Sequence, residues 1–440
     1  MKQTLSSTFW HSFSIVYERV LHEKLSSDAK GFLNNIFYVG GGVAISTVFS
    51  FLFNILSGRW LGPSLYGEYA LVETVSMFLY IPMLMGFHAS LVKYNAEKKN
   101  HERQQSIIST TYLLVSAFTV ISVLIYLIFS SQISKTLSIS EGLYYYSILY
   151  AVLYVVYTIT TETLKSLHDL KKYSLIKPVF SILLLISFLY FMSIDFVSSK
   201  SMIFAMYIAY GATGLILLYS LRKYFFFKLE KKWISQLTKY SFYAVMGGLS
   251  FVLYTNIDKI LINKYMDIAD VGIYRAYNYA FISIIQVLII TFGTVFFPYA
   301  SMSNNKKMLF SKINKLIPYF ILLGLPLAMI SGFIVLSLYG NEYEFNMKLA
   351  LLFGIAGLCI AIDNLYGQLM SSIGIKGIKI VSFAAVVMAL TNTFLNMFLI
   401  PLMGIEGAVV ATTVSFLVSI SIMLSKRSYI YDSEGYDVGN

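Results

Sequence analysis

"RKYFFFKLEKKWISQLTKY", residues 222–240, places six basic side chains in nineteen positions between two long apolar regions. Upstream and downstream of it, apolar residues come in runs of about 20, the length a helix needs to cross a hydrocarbon layer of about 30 Å. Barrel strands would be about half as long. Six such runs precede the basic segment, from 33–57 and 69–92 to 201–221, and six follow it, from 240–263 and 272–297 to 403–425. The segment therefore reads as a connection between two halves of equal span number.

Composition agrees with that reading. Of 440 residues, 57% are hydrophobic and 12% charged, against about 25% charged in an ordinary soluble domain; mean hydropathy is +0.70. The expected fold is an all-α polytopic membrane protein of about twelve transmembrane helices, in two parallel six-helix lobes around a central cleft. The expected divisions are a tail at 1–32, a first lobe at 33–222, a linker at 223–239, a second lobe at 240–425 and a tail at 426–440. Within the first tail, Phe9, Phe13, Val16, Val20 and Leu21 stand at helical spacing among basic residues. That pattern fits either a helix lying on the membrane surface or a soluble tail helix packed on a loop. The tail lacks the basic segment, apolar core and small-residue site of a secretory signal.

Charge gives an expected orientation. Counted by alternate connections, 26 of the 33 Lys and Arg residues fall on the side of the N-terminal tail and 6 on the other, with Lys259 inside a span. Basic loops are retained in the cytoplasm, so both termini are expected there, in the cytoplasmic (inner) membrane of the cell. The net charge of +11 is thereby explained by topology, and nucleic acid is not an expected partner. The single cysteine, Cys359, permits no internal disulfide, and the five histidines lack ligand spacing, so neither a metal nor a cofactor is expected.

The two halves align at a constant offset of 205 residues, the separation of Gly67 and Gly272. "RWLGPSLYGEY" (59–69) then falls on "KYMDIADVGIY" (264–274), matching Arg59 with Lys264, Trp60 with Tyr265 and Tyr69 with Tyr274. Equal spacing of the spans extends the match, which suggests two parallel repeats about an axis along the membrane normal.

Ionisable residues inside such spans face a partner or a water-filled cavity, because a charge at a helix centre costs about 2.5–3.5 kcal/mol on insertion scales. They are Glu73, Glu162, Asp258, Lys259, Arg275 and Asp363, with His88 as a further titratable group. Asp258 and Lys259 are adjacent, so they point about 100° apart and each needs another partner. Asp258, Lys259 and Arg275 converge on the hairpin of spans 7 and 8, and Arg59 holds the matching hairpin in the first half. If these basic groups face the cleft, they suit an anionic group such as a phosphate; the alternative is an Asp258–Arg275 pair that fixes the hairpin. Glu73 and Asp363 lie deeper and suit a cavity or a helix pairing. The tyrosine run at 144–157 fits sugar stacking or an interfacial belt, and Asn392 with Asn396 fits helix pairing or sugar binding. The sequence holds no phosphate loop, nucleophile elbow or paired soluble-domain carboxylates, so an enzyme is not expected.

Three stretches carry a family resemblance: "RWLGPSLYGEYAL" (59–71), "NIDKILINKYMDIADVGIYRAY" (256–277) with "FFPYAS" (296–301), and "LNMFLIPLMGIEGAVVATTVS" (395–415). They resemble the polysaccharide-biosynthesis flippases of the multidrug/oligosaccharidyl-lipid/polysaccharide exporter superfamily. The resemblance implies two six-helix lobes alternating between inward-open and outward-open forms. It implies as substrate a polyprenyl-diphosphate-linked oligosaccharide, moved to the outer leaflet for O-antigen, capsule or a similar glycan, with membrane lipids, a polysaccharide polymerase and assembly proteins as partners. The basic lumen expected of such proteins would place Arg59, Lys259 and Arg275 on the substrate. Here acids outnumber bases in the spans, which makes Glu73, Asp258 and Asp363 candidates for cation or proton coupling. It also keeps open a cation-coupled drug antiporter of the same superfamily; a polytopic glycan polymerase or ligase would need larger basic outer loops.

Overall fold

The computed structural model describes residues 27–97, 100–225, 229–303 and 305–432. The amphipathic pattern at 9–21 lies outside them. Among the described residues the fold is helical throughout, and ten helices are long and apolar enough to cross a membrane. Two irregularities connect ten helices to twelve crossings.

The first is in α1 (Ser27–Leu84), where Gly62 leaves the helical region at φ 71° and ψ 172°. Glycine tolerates that backbone, and Pro63 restarts the helix at a position where its missing N–H costs nothing. The two rods fold back on each other: the Tyr66 hydroxyl donates to Asn54 Oδ1 at 3.1 Å, and the Phe53 and Tyr69 rings meet edge-on at 6.2 Å. The expected spans 1 and 2 are thus real but joined by almost no loop. The second rod runs past Pro82 to a break at Met85 and Gly86, both with positive φ, and resumes as α2 (Phe87–Ala96).

The second irregularity divides the eighth crossing into α9 (Ile268–Tyr277), a π turn at Asn278–Ser283, and α10 (Ile284–Met302). Such a turn widens the helix by one residue and re-aims side chains on either side. The remaining crossings are α3 (His101–Ile128), α5 (Glu141–Ser166), α6 (Leu170–Ser193), α7 (Ser199–Leu221), α8 (Lys231–Tyr265), α11 (Lys306–Tyr339), α12 (Met347–Ser371), α13 (Ile375–Met403) and α14 (Ile405–Ser425). The short α4 (Ser130–Thr136) follows α3 at the end of the bundle that the charge count expects to face outward, and outer and inner are named by that expectation; α15 (Ser428–Asp432) follows the last crossing.

The matched glycines show how the halves meet. A Cβ on Gly67 would overlap the Ile268 carbonyl oxygen, and one on Gly272 would overlap that of Pro63. Pro63 and Ile268 are themselves one repeat offset apart. The contact is therefore reciprocal, as a two-fold-like axis between the repeats requires, and it lies at the outer end of both hairpins. Nearby, the Tyr343 hydroxyl donates to the Gly58 carbonyl at 3.1 Å, and Asn263 donates to the Ser138 carbonyl. The outer face is closed by these contacts. Toward the inner side, α2 touches α8 through Ser90 and Ser241, whose hydroxyls are 2.9 Å apart, and through Tyr94 against Tyr240. On another flank, Phe51 of α1 meets Tyr279 of the π turn ring to ring, and Ile45 and Val48 of α1 and Leu288 and Phe292 of α10 are exposed.

Several open readings are resolved by packing. Most of the tyrosine run faces inward, since Tyr144 and Tyr150 are fully buried, while Tyr145 is exposed. Tyr150, Tyr154 and Tyr157 surround Tyr210 with ring centroids 5.3–5.7 Å away, so the run is first-lobe core and not an interfacial belt. Of the consecutive glycines Gly40, Gly41 and Gly42 in the first span, only Gly42 makes a close approach, to the Ser174 carbonyl; a Cβ at Gly40 or Gly41 would meet open space.

Candidate functional site

The Asp258–Lys259 step lies on α8 beneath the closed outer face, and the two side chains do find different partners. Asp258 is 3% exposed. Its Oδ1 accepts the Lys259 backbone N–H at 2.8 Å, and its Oδ2 accepts the Tyr274 hydroxyl from α9. Lys259 Nζ donates to Asn256 Oδ1 at 2.9 Å, one turn back on the same helix. An ammonium has three donors, so one hydrogen bond leaves most of its capacity for something else.

Arg275 does not pair with Asp258. Its guanidinium crosses to the first half, where Nη1 binds Glu73 Oε2, Nε donates to the Tyr66 hydroxyl at 3.0 Å, and Nη2 donates to Asn54 Oδ1 at 3.2 Å. Its centre also lies 4.9 Å from the Tyr69 ring and 5.2 Å from the Tyr66 ring. Side-chain exposures of 14% for Arg275 and 26% for Glu73 mean that neither charge is well hydrated. Low hydration makes the pairing strong and the loss of one partner costly. Tyr66 extends the network to the Tyr339 hydroxyl at 3.4 Å on α11. Lys259 stands within electrostatic reach of both Glu73 and Arg275.

The structure thus brings Glu73, Lys259 and Arg275 together, with Asp258 alongside. It separates the others. Arg59 is exposed at the outer surface, its stem near Gly340. Glu162 pairs with Lys165 at 2.5 Å toward the inner end of α5, and His88 lies near that pair with Nδ1 buried and without a hydrogen bond among the described residues. Asp363 sits within the second half on α12, and its Oδ1 is buried with no hydrogen-bond partner among the described residues. Asn392 and Asn396 are 1% and 0% exposed; Asn396 donates to Asn392 Oδ1 at 3.0 Å, and Asn392 donates to Thr412 Oγ1 at 3.3 Å. They tie α13 to α14.

Sequence reasoning missed Asn54, Tyr66, Tyr69, Asn256 and Tyr274. The repeat offset contained a signal for three of them, because it places Asn54 on Lys259, Tyr69 on Tyr274 and Glu73 on Asn278. Polar groups thus recur at equivalent depth in both halves. Arg275 has no such counterpart, since the offset sets it on Ala70, and the cross-repeat ion pair is a departure from the symmetry.

Twelve crossings in paired repeats, with a polar centre where the halves meet, define a two-lobed polytopic membrane protein. Residues 32–304 match the family model described as "Polysaccharide biosynthesis protein", and the chain belongs to that family. Among solved structures it is similar to the lipid II flippase MurJ in an inward closed conformation, with 16% identity, 91% of this chain and 90% of that one covered, and a TM-score of 0.62. It is also similar to an inward-facing multidrug resistance MATE family transporter of the MOP superfamily, at 13% identity, 88% and 96% coverage and a TM-score of 0.67. A third similar structure, a MOP superfamily transporter from Pyrococcus furiosus described as having a binding pocket of reversed polarity, has 11% identity, 91% and 96% coverage and a TM-score of 0.54. No curated protein matches the chain significantly.

Proposed function

We propose that the protein is a flippase that moves a polyprenyl-diphosphate-linked oligosaccharide from the cytoplasmic to the outer leaflet for surface polysaccharide assembly. The observation that carries this reading is the placement of Lys259, with donors to spare, beside an Arg275–Glu73 pair that joins the two halves under the outer closure. A diphosphate entering from the basic side meets Lys259 as a mobile point charge. Arg275 would first have to leave Glu73, which links substrate arrival to loosening of the closed face. Arg59, at the outer surface, suits release better than capture. The family match and the fold shared with a lipid II flippase support a lipid-linked substrate, and the exposed apolar flank between α1 and α10 suits polyprenyl chains that stay in the bilayer.

The same reading assigns both termini and the 223–239 linker to the cytoplasm, in the inner membrane, with lobes at 33–222 and 240–425. Polymerase and assembly proteins would receive the product. Coupling to a cation or proton is assigned to Glu73, Asp258 and Asp363. The partnerless Asp363 oxygen favours one second reading, a cation-coupled antiporter of drugs or other toxic compounds.

Deleting the gene in the source organism and locating the lipid-linked intermediate by leaflet tests the choice. Loss of polymer with the intermediate held on the cytoplasmic face supports flipping. Intact polymer with heightened sensitivity to cationic compounds would transfer the assignment to the antiporter.

A further inference from the structure

Two of the contacts that close the outer end are copies of each other under the repeat. Gly58 and Asn263 are one offset of 205 residues apart, and so are Ser138 and Tyr343. The Tyr343 hydroxyl donates to the Gly58 carbonyl at 3.1 Å, and the Asn263 amide donates to the Ser138 carbonyl. Each contact is a clasp, in which the loop after a crossing of one half holds the outer end of a crossing of the other. The clasps differ in what lies behind them. Tyr339, at the end of α11 and 1% exposed, lays its ring on Gly58, where a Cβ would overlap it. Its hydroxyl is 3.4 Å from that of Tyr66. Tyr66 gives its own proton to Asn54 Oδ1, so toward Tyr339 it is the acceptor. Arg275 donates to both Tyr66 and Asn54, and its departure would loosen Tyr66 at two points. The repeat sets Tyr339 on Ser134 and Tyr66 on Val271. Valine has no polar side-chain atom, so the Asn263–Ser138 clasp has no equivalent of this relay.

We infer that the loop at 340–346 is a lid on the polar centre that Arg275 releases, with Tyr66 and Tyr339 as the positioning residues between them, and that the Asn263–Ser138 clasp is outside this control. The loop is built for such a movement. Its base is fixed by its own half: the Tyr277 hydroxyl donates to the Glu344 carbonyl at 2.6 Å and accepts the Asn346 N–H at 2.8 Å, and the Phe345 and Phe333 rings meet edge-on at 5.1 Å. Its tip is held by the other half, through Tyr343 at Gly58 and the Glu342 carboxylate against Gly62. Release of the tip therefore frees residues 340–343 and leaves the base attached. That a diphosphate is what moves Arg275 rests on the function proposed above; the relay itself does not.

The test is hydrogen–deuterium exchange of the full chain in lipid nanodiscs, read on peptides covering 338–346 and 134–141. R275A should speed exchange at 338–346 about fivefold, a size that loss of one hydrogen bond of ordinary net strength allows, and leave 134–141 unchanged; N263A should do the reverse. Equal acceleration of both peptides in R275A would mean that the closure loosens as a whole. No acceleration in either would mean that Arg275 does not reach the lid. Each of these results overturns the proposal. Y339F keeps the ring on Gly58 and removes only the hydroxyl, so it tests the lid with Arg275 and the fold in place. It should match R275A at 338–346, and R275A/Y339F should exceed neither single variant. An additive double variant would reveal two separate routes and overturn the relay. Undecaprenyl diphosphate added to the wild type should also speed exchange at 338–346 selectively. If R275A loosens the lid and this lipid does not, the relay stands and the diphosphate assignment of the proposed function falls.

Discussion

Gly67 and Gly272 lie so close across the two halves that a Cβ on either would sit 3.1 Å from the backbone nitrogen of the other. The obstructing atoms are main chain, including the carbonyls of Ile268 and Pro63, and cannot swing aside as a side chain can. The outer closure therefore depends on two hydrogen atoms in place of two methyl groups.

Replacing Gly67 or Gly272 with alanine should open the outer face without unfolding either half. Spin labels at Thr136 and Lys264, both exposed on the outer side, should move to longer distances in G67A and G272A. Unchanged distance distributions would show that the closure tolerates a methyl group and that packing elsewhere holds it.

Arg275 and Glu73 form the electrostatic part of the same closure. Removing one partner from a poorly hydrated pair leaves an uncompensated charge, at a cost on the order of 3 kcal/mol. R275A and E73A should each lower the melting temperature, and the double variant should lose less than their sum. A strictly additive cycle measured by thermal unfolding would deny the pair any coupling. The exchanged variant E73R/R275E should recover only part of the loss, because the Tyr66 hydroxyl and Asn54 Oδ1 now accept from a guanidinium placed on the second half.

Lys259 should behave differently, because its hydrogen bond within the described residues is to Asn256 alone. K259A should leave the melting temperature near the wild-type value and reduce flipping about tenfold or more, consistent with loss of a charge-assisted contact of about 1.5–3 kcal/mol. K259R, which keeps the charge, should retain intermediate activity. A K259A protein that flips a lipid-linked oligosaccharide at the wild-type rate in proteoliposomes would remove Lys259 from the substrate path.

The fold was legible in the sequence because the bilayer leaves few choices: apolar runs of fixed length separated by basic connections specify crossings and their pairing. Gly62 and the π turn at 278–283 were not legible as local geometry, since a single residue that ends one helix and admits the next leaves no loop composition to detect. The intramembrane charges were equally plain as a set. Their pairing was not, because Arg275 and Glu73 are brought together by the contact between halves, whereas Asp258, the nearer candidate in sequence, is taken by Tyr274 and by the backbone of Lys259. Side-chain partners chosen by tertiary contact leave no mark in helical spacing, and only the repeat offset hinted that Asn54 and Tyr69 belonged to the same layer.

Asp363 separates the coupling question from the closure. Unlike Glu73 it has no basic partner, and its buried Oδ1 accepts no hydrogen bond among the described residues; a carboxyl so placed has much to gain from a proton or a cation. D363N removes the charge while keeping the shape, so the protein should fold and bind substrate normally yet lose any acceleration of flipping by an imposed pH or sodium gradient. E73Q should also reduce the rate, but through the closure, so G67A, which loosens the same face, should mimic that part of its effect. Proteoliposomes with controlled internal pH and sodium distinguish the two. If D363N keeps the full gradient response while E73Q loses it and G67A does not, coupling resides at the ion pair itself and Asp363 is a structural group of the second half.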